Sequence, residues 1–109
     1  MLLDTPHFSG GNTTFDAFGL NLAVVTLPGH LMRGRQTLAC YRKMGLLDCV
    51  AKDDREYVEM ALRLGQDPEY RESMRARIAE RSDVLFDDVD AVREIEQFLI
   101  KAIEEVTRE

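Results

Sequence analysis

The residues best suited to chemistry stand near the start of the chain, in the run Ser9-Gly10-Gly11-Asn12-Thr13-Thr14 followed by Asp16. Two adjacent glycines allow a tight turn that another molecule can approach closely, and the side chains after them are able to cap a helix. Such a turn gathers unpaired N–H donors and the positive end of the helix dipole at one point, which suits a phosphate. Gly10, Gly11, Asn12, Thr13 and Thr14 are therefore candidate phosphate ligands, the threonines adding hydroxyl donors. Asp16, one turn further in, is placed to accept both hydroxyls of a ribose. A Gly-Gly turn before a helix also serves many α/β proteins for packing alone, and spacing does not choose between the two uses.

Three more residues are accessory candidates. His7 and His30 each follow an apolar run, in loops expected beyond the carboxyl ends of strands, the usual ligand side of an open parallel sheet, where a histidine can contact an anion or shuttle a proton. Arg35, with Arg33, falls near the start of a helix, where a cation opposes the dipole unless an anion lies close. A solvated helix face accounts for both arginines equally well. Cys40 and Cys49 lack partners at metal-ligand spacing and are expected to be buried free thiols, which points to a reducing, cytoplasmic setting. No metal site is expected.

These residues need a scaffold, and residues 1–51 read as β-α-β-α-β. Met1–Leu3 and Leu22–Leu27 have the length and flanks of buried parallel strands, and Cys49–Ala51 of a third. Between them come a helix to about Leu20 and a second over 31–44, with Leu31, Leu38, Tyr41 and Met44 inward and Gly45 as its stop. Residues 52–109 read as helical. A helix from Asp54 to Leu64 turns Tyr57, Val58, Ala61 and Leu62 inward, and the next is capped by Asp67 with Pro68 first and repeats Tyr70, Met74 and Ile78. Arg71, Arg75, Arg77 and Arg81 are expected to pair on the surface with the interspersed Glu69, Glu72 and Glu80. After the apolar knot Val84-Leu85-Phe86 a last helix over 89–106 aligns Val92, Ile95, Leu99, Ala102 and Val106. That stripe either packs on the sheet or crosses onto something outside this chain.

Size and charge exclude some functions. One hundred and nine residues make one domain at most, thin for a sheet covered on both faces. No apolar run approaches the ~20 residues of a membrane span, and no signal-peptide pattern appears. The net charge of -6 is uneven: the first 51 residues carry three acids (Asp4, Asp16, Asp48) against four bases (Arg33, Arg35, Arg42, Lys43), so the rest carry the acidity. No basic face for nucleic acid is expected, whereas a slightly basic first half is compatible with an anionic small ligand.

Longer stretches carry a resemblance. Leu3-Asp4-Thr5-Pro6, Ser9 through Ala17, and Val24 through Gly29 resemble the carboxyl-terminal end of the O-linked N-acetylglucosamine transferase and SPINDLY family. Met44-Gly45-Leu46, Ala51-Lys52, Glu56-Tyr57, Leu62 through Asp67 and Val84 through Asp87 follow the same order and spacing, so the likeness runs from Leu3 to about Leu99. It implies a partial Rossmann-like α/β fold: a three-layer α/β/α arrangement with a short parallel sheet, the C-terminal half of the donor lobe of a two-lobed GT-B glycosyltransferase. The chain is then a single partial domain, 1–51 holding the nucleotide-diphosphate half-site and 52–109 a helical remainder.

In that family a Gly-His-Thr-Thr segment and the Asp after it hold the diphosphate and ribose of UDP. Gly10 matches the glycine, Gly11 replaces the histidine, Asn12 and Thr13 match the threonine pair, and Asp16 matches the ribose ligand. The resemblance implies a UDP-sugar donor, with a GDP-sugar as alternative, and no cofactor besides. The catalytic groups, the acceptor lobe and a tetratricopeptide region are expected upstream of this chain, with none of the catalytic residues in it. The competing expectation is a non-catalytic interaction module that keeps the fold and forms homo-oligomers through its last helix. A receiver-type regulatory domain fits worse, because the acidic cluster and switch lysine expected at strand ends are missing.

Overall fold

The computed structural model describes residues 1–108. In chain order they form β1 (Leu2–Leu3), α1 (Asn12–Gly19), β2 (Val24–Val25), a 3-10 turn (Met32–Gly34), α2 (Gln36–Met44), α3 (Asp54–Gln66), α4 (Pro68–Arg81), a second 3-10 turn (Ser82–Leu85) and α5 (Val89–Thr107). β1 and β2 pair in parallel, Leu2 opposite Val24 and Leu3 opposite Val25. The parallel β-α-β start is therefore as expected, but the third strand shrinks to one bridge. Thr26 pairs with Val50, its N–H donating to the Cys49 carbonyl at 3.0 Å while the Ala51 N–H donates to the Thr26 carbonyl at 2.8 Å.

The reason for the lost strand is Tyr41. Its hydroxyl accepts the Val24 N–H at 2.9 Å and donates to the Val24 carbonyl at 2.6 Å, so one side chain satisfies the β2 residue that a third strand would otherwise pair. Burial pushes the Tyr41 phenol far above its ordinary range, which keeps the proton that the bond to the Val24 carbonyl requires. Around it Phe18, Val24, Val25, Leu46, Leu64, Met74 and Ile78 form the centre of the core. The Phe18 and Tyr41 rings meet edge to face, centroids 5.0 Å apart. Cys40 and Cys49 are buried and free, as expected, and burial pushes the Cys49 thiol up to about 11.

Several elements depart from expectation. β1 is not buried among the described residues: Leu3 is about half exposed and, with Met1, Val58 and Leu62, lines an open apolar cleft of ≈ 440 Å³. α3 thus turns Leu64, with Tyr57 and Met60, into the core, while Val58 and Leu62 face outward. The second helix starts at Gln36, not Leu31, and Leu31 is exposed. A helix through this region would direct the Thr37 N–H to the Arg33 carbonyl. Ser9 takes both partners, its N–H donating to the Arg33 carbonyl at 2.7 Å and its Oγ accepting from the Thr37 N–H at 3.1 Å. Gly45, left-handed at φ 68°, ends α2 as expected.

Of the four α4 arginines, Arg71, Arg77 and Arg81 hold neighbouring elements instead of the interspersed glutamates. Arg71 donates to the Leu64 carbonyl at 3.1 Å, Arg81 donates to the Gly45 carbonyl at 2.8 Å, and Arg77 grips Asp48 through two nitrogens at 2.9 and 3.1 Å. That grip lowers the Asp48 carboxyl below its usual range. α5 does not pack on the sheet: none of its residues is buried, and the molecule extends 62 Å along its longest axis. Its root is held by the Lys43–Asp88 ion pair and by Phe86, edge-on to Phe15 at 6.0 Å.

If Tyr41 replaces the missing strand, Tyr41→Phe keeps the ring packing and orphans two buried backbone groups on Val24. The expected loss is about 2 to 4 kcal/mol of unfolding free energy, read by urea denaturation. A variant as stable as the parent would show that Val24 is satisfied in another way.

Candidate functional site

The loop between β1 and α1 leaves the carboxyl end of the sheet, and five polar side chains behind it, from Asp4, Ser9, Thr26, Thr37 and Tyr57, fix its course. Asp4, 5% exposed at the end of β1, accepts the Gly10 N–H on Oδ1 and the Thr26 hydroxyl on Oδ2, both at 2.8 Å. Its own carbonyl accepts the Tyr57 hydroxyl at 2.8 Å, so α3 holds the same point. Ser9 ties the far side of the loop to α2, as described above. Thr37 Oγ1 lies 3.0 Å from Thr14 Oγ1, and Thr14 Oγ1 also donates to the Gly10 carbonyl at 3.0 Å. No buried side-chain polar atom among the described residues lacks a partner, as a well-determined polar interior requires.

This arrangement divides the candidate ligands. The Gly10 N–H and the Thr14 hydroxyl are both committed within the fold, Thr14 being 1% exposed. Gly11, Asn12, Thr13 and Asp16 are exposed. Gly11 occupies the N-cap of α1 with no side-chain bond, so the expected side-chain cap is missing. The amides of Gly11, Asn12 and Thr13 find no acceptor among the described residues and stand at the positive end of the helix. Asp16 follows Asn12 by four positions and Thr13 by three, which sets the three on one side of α1.

The accessory candidates gather beside this loop. His7, left-handed at φ 71°, and His30 flank a cavity of ≈ 60 Å³ with Gly29, Leu31, Arg33 and Gly34. Arg35 is partly buried and donates to the Gly29 carbonyl at 2.7 Å, so one face of its guanidinium pins the Pro28-Gly29 turn. Among the described residues no cluster of His, Cys, Asp or Glu has metal-binding geometry, and no helix is long and apolar enough to cross a membrane.

Asp4, Ser9, Thr26, Thr37 and Tyr57 hold the loop, a role that the sequence pattern does not assign to them. Only Asp4 carried a signal: an acid directly after an apolar strand sits at the carboxyl end of the sheet. The pairings of the other four are between residues far apart in sequence.

Comparison with known proteins gives this loop its context. The family model "Glycosyl transferase family 41" matches residues 1–94. The chain belongs to glycosyl transferase family 41. It is similar to a UDP-N-acetylglucosamine--peptide N-acetylglucosaminyltransferase of Caenorhabditis elegans, 33% identical over 99 residues, which span 89% of this chain and 9% of that protein. It is also similar to a solved structure, a mutant of the Thermobaculum terrenum O-GlcNAc transferase, with a TM-score of 0.71 at 32% identity over 79% of this chain and 16% of that one. Against either of these two family 41 relatives, the chain spans well under a fifth of the length.

The two glycines of the family 41 loop are expected to differ under substitution. A Cβ on Gly10 would lie 2.6 Å from Thr14 Oγ1, whereas one on Gly11 meets nothing within 4 Å. Gly10→Ala should lower stability by about 1 to 3 kcal/mol, and Gly11→Ala by less than about 1. Equal effects in thermal unfolding would mean that Thr14 and Thr37 do not set the loop.

Proposed function

We propose that this chain is the part of a nucleotide-sugar-dependent protein O-glycosyltransferase that supplies the diphosphate and ribose side of the donor site. It forms the C-terminal half of a Rossmann-like, three-layer donor lobe in a two-lobed enzyme. The observation that carries this reading is the set of uncommitted amides on Gly11, Asn12 and Thr13, at the head of α1 and the carboxyl end of a parallel sheet. Membership of family 41 and likeness to a peptide N-acetylglucosaminyltransferase support a UDP-N-acetylglucosamine-type donor.

The chain's own residues stabilise charge. Amides and the Thr13 hydroxyl donate to the diphosphate as it leaves, and being fixed in advance they need little reorganisation during transfer. Asp16 accepts the ribose hydroxyls. Gly11, standing where the resemblance expects a histidine, leaves the diphosphate to neutral donors. The acceptor and catalytic groups come from the upstream lobe. With that lobe absent much of the ligand stays in water, so UDP should bind no tighter than about millimolar, on the order of -4 kcal/mol. Amide shifts confined to Gly11–Thr14 during titration, larger for UDP than for pyrophosphate and with that preference lost in Asp16→Ala, are the expected result. No shifts at ten millimolar UDP, or shifts centred on Arg71–Arg81, would refute the reading.

A second reading rests on α5, whose Val92, Ile95, Leu99 and Val106 are each more than half exposed. In the whole enzyme we assign this stripe to the facing lobe. In the isolated chain it should drive self-association, so sedimentation should show oligomers that Leu99→Asp dissolves. A parent chain that stays monomeric at high concentration would remove the interaction-module alternative.

A further inference from the structure

We infer that Asp4 is a positioning residue of the donor site, acting by its two hydrogen bonds and not by its charge. The inference rests on the donor-site reading above. Asp4 is almost fully buried, yet among the described residues no Lys, Arg or His lies within ion-pair distance of it. A buried carboxylate without a cation is uncommon and needs other compensation. Here the compensation is two donors from different elements, the Gly10 N–H in the loop and the Thr26 hydroxyl past the end of β2.

Two consequences follow for an anion bound in front of the loop. Electrostatically, a carboxylate behind a diphosphate site is a like charge and weakens binding. Geometrically, it fixes the Gly10 peptide from the rear, so the next three amides open forward onto the ligand. The Tyr57 bond to the Asp4 carbonyl holds the backbone at that point, leaving little freedom for the loop to swing. A side chain retained for its charge would not be placed where the charge opposes the ligand. Both bonds remain available to an uncharged side chain of the same shape: asparagine can accept from Gly10 through its carbonyl and donate to the Thr26 hydroxyl through its amide.

The test compares Asp4→Asn, Asp4→Ala and Thr26→Val in the full chain by UDP titration, together with hydrogen exchange of the Gly10 amide. Asn should bind UDP within about threefold of the parent and keep Gly10 protected. Ala should weaken UDP about tenfold and release the Gly10 amide to fast exchange while the core amides of Val24 and Val25 stay protected. If Ala does not fold, Thr26→Val decides. It frees one carboxylate oxygen and should both speed Gly10 exchange and weaken UDP severalfold. An Asn variant as weak as Ala would overturn the inference, because charge would then be what matters. So would a folded Ala variant, or Thr26→Val, with parental affinity and Gly10 protection. Failure of the parent to bind UDP would instead refute the donor-site reading, and Gly10 exchange would still report whether Asp4 holds the loop.

Discussion

The rest of the structure depends on satisfying the backbone of β2, a strand two residues long at the centre of the fold. One side is paired by β1, and the other must be paired by something that fits in a small, fully buried space. The Tyr41 hydroxyl does this at Val24, and the Thr26–Val50 bridge does it one step further along. Because Tyr41 comes from α2, the helix is bonded to the strand as well as packed on it. The position of α2 then fixes Thr37, and Thr37 fixes Ser9 and Thr14. A buried, unpaired amide would cost more than any one of these contacts contributes, so the site loop inherits its shape from a backbone requirement at the sheet.

Local signals in the sequence were sufficient wherever one residue type decides the outcome. Asp67 with Pro68 starts α4, the Asp67 side chain accepting the Tyr70 N–H. Gly45 ends α2 with a positive φ, and Met74 and Ile78 sit in the core as their spacing requires. What local signals could not show is where competition between distant groups wins. The apolar and helical pattern around Leu31 is genuine, but Ser9, more than twenty residues away, takes the bonds that a helix there would need. Arg71 and Arg81 of α4 likewise have glutamates at helical spacing and still reach carbonyls at the ends of α3 and α2, because a cation at a helix end sits where unpaired carbonyls concentrate.

The candidate site shows the same division. The helix after the Gly-Gly pair was legible, whereas the division of the run from Gly10 to Thr14 into exposed and committed members was not. That Thr14 turns inward was not, because a threonine hydroxyl serves equally as ligand donor or as interior partner. The buried Thr37 hydroxyl 3.0 Å away makes it an interior partner. His7 and His30 both stand in loops beyond the carboxyl ends of the strands, where the order of apolar runs in the sequence puts them.

Among the described residues, the cleft between β1 and α3 and the length of α5 are open apolar surfaces, and they bear differently on the site. The cleft contains Tyr57, whose hydroxyl bonds to the Asp4 carbonyl, so whatever covers it presses directly on the element that carries the loop. The root of α5 is tied to the rest of the chain where Phe86 meets Phe15, the residue before Asp16, and where Lys43 pairs with Asp88. Both root contacts are partly exposed, and exposed ion pairs contribute little to rigidity. The loop's restraints from Asp4, Ser9, Thr26 and Thr37 lie within residues 4–37, and Tyr57 of α3 adds one from outside that span. The geometry of the candidate phosphate site is thus determined by the β-α-β start of the chain, and the helical remainder supports that start at Tyr57, Leu64, Met74 and Ile78 without entering the site.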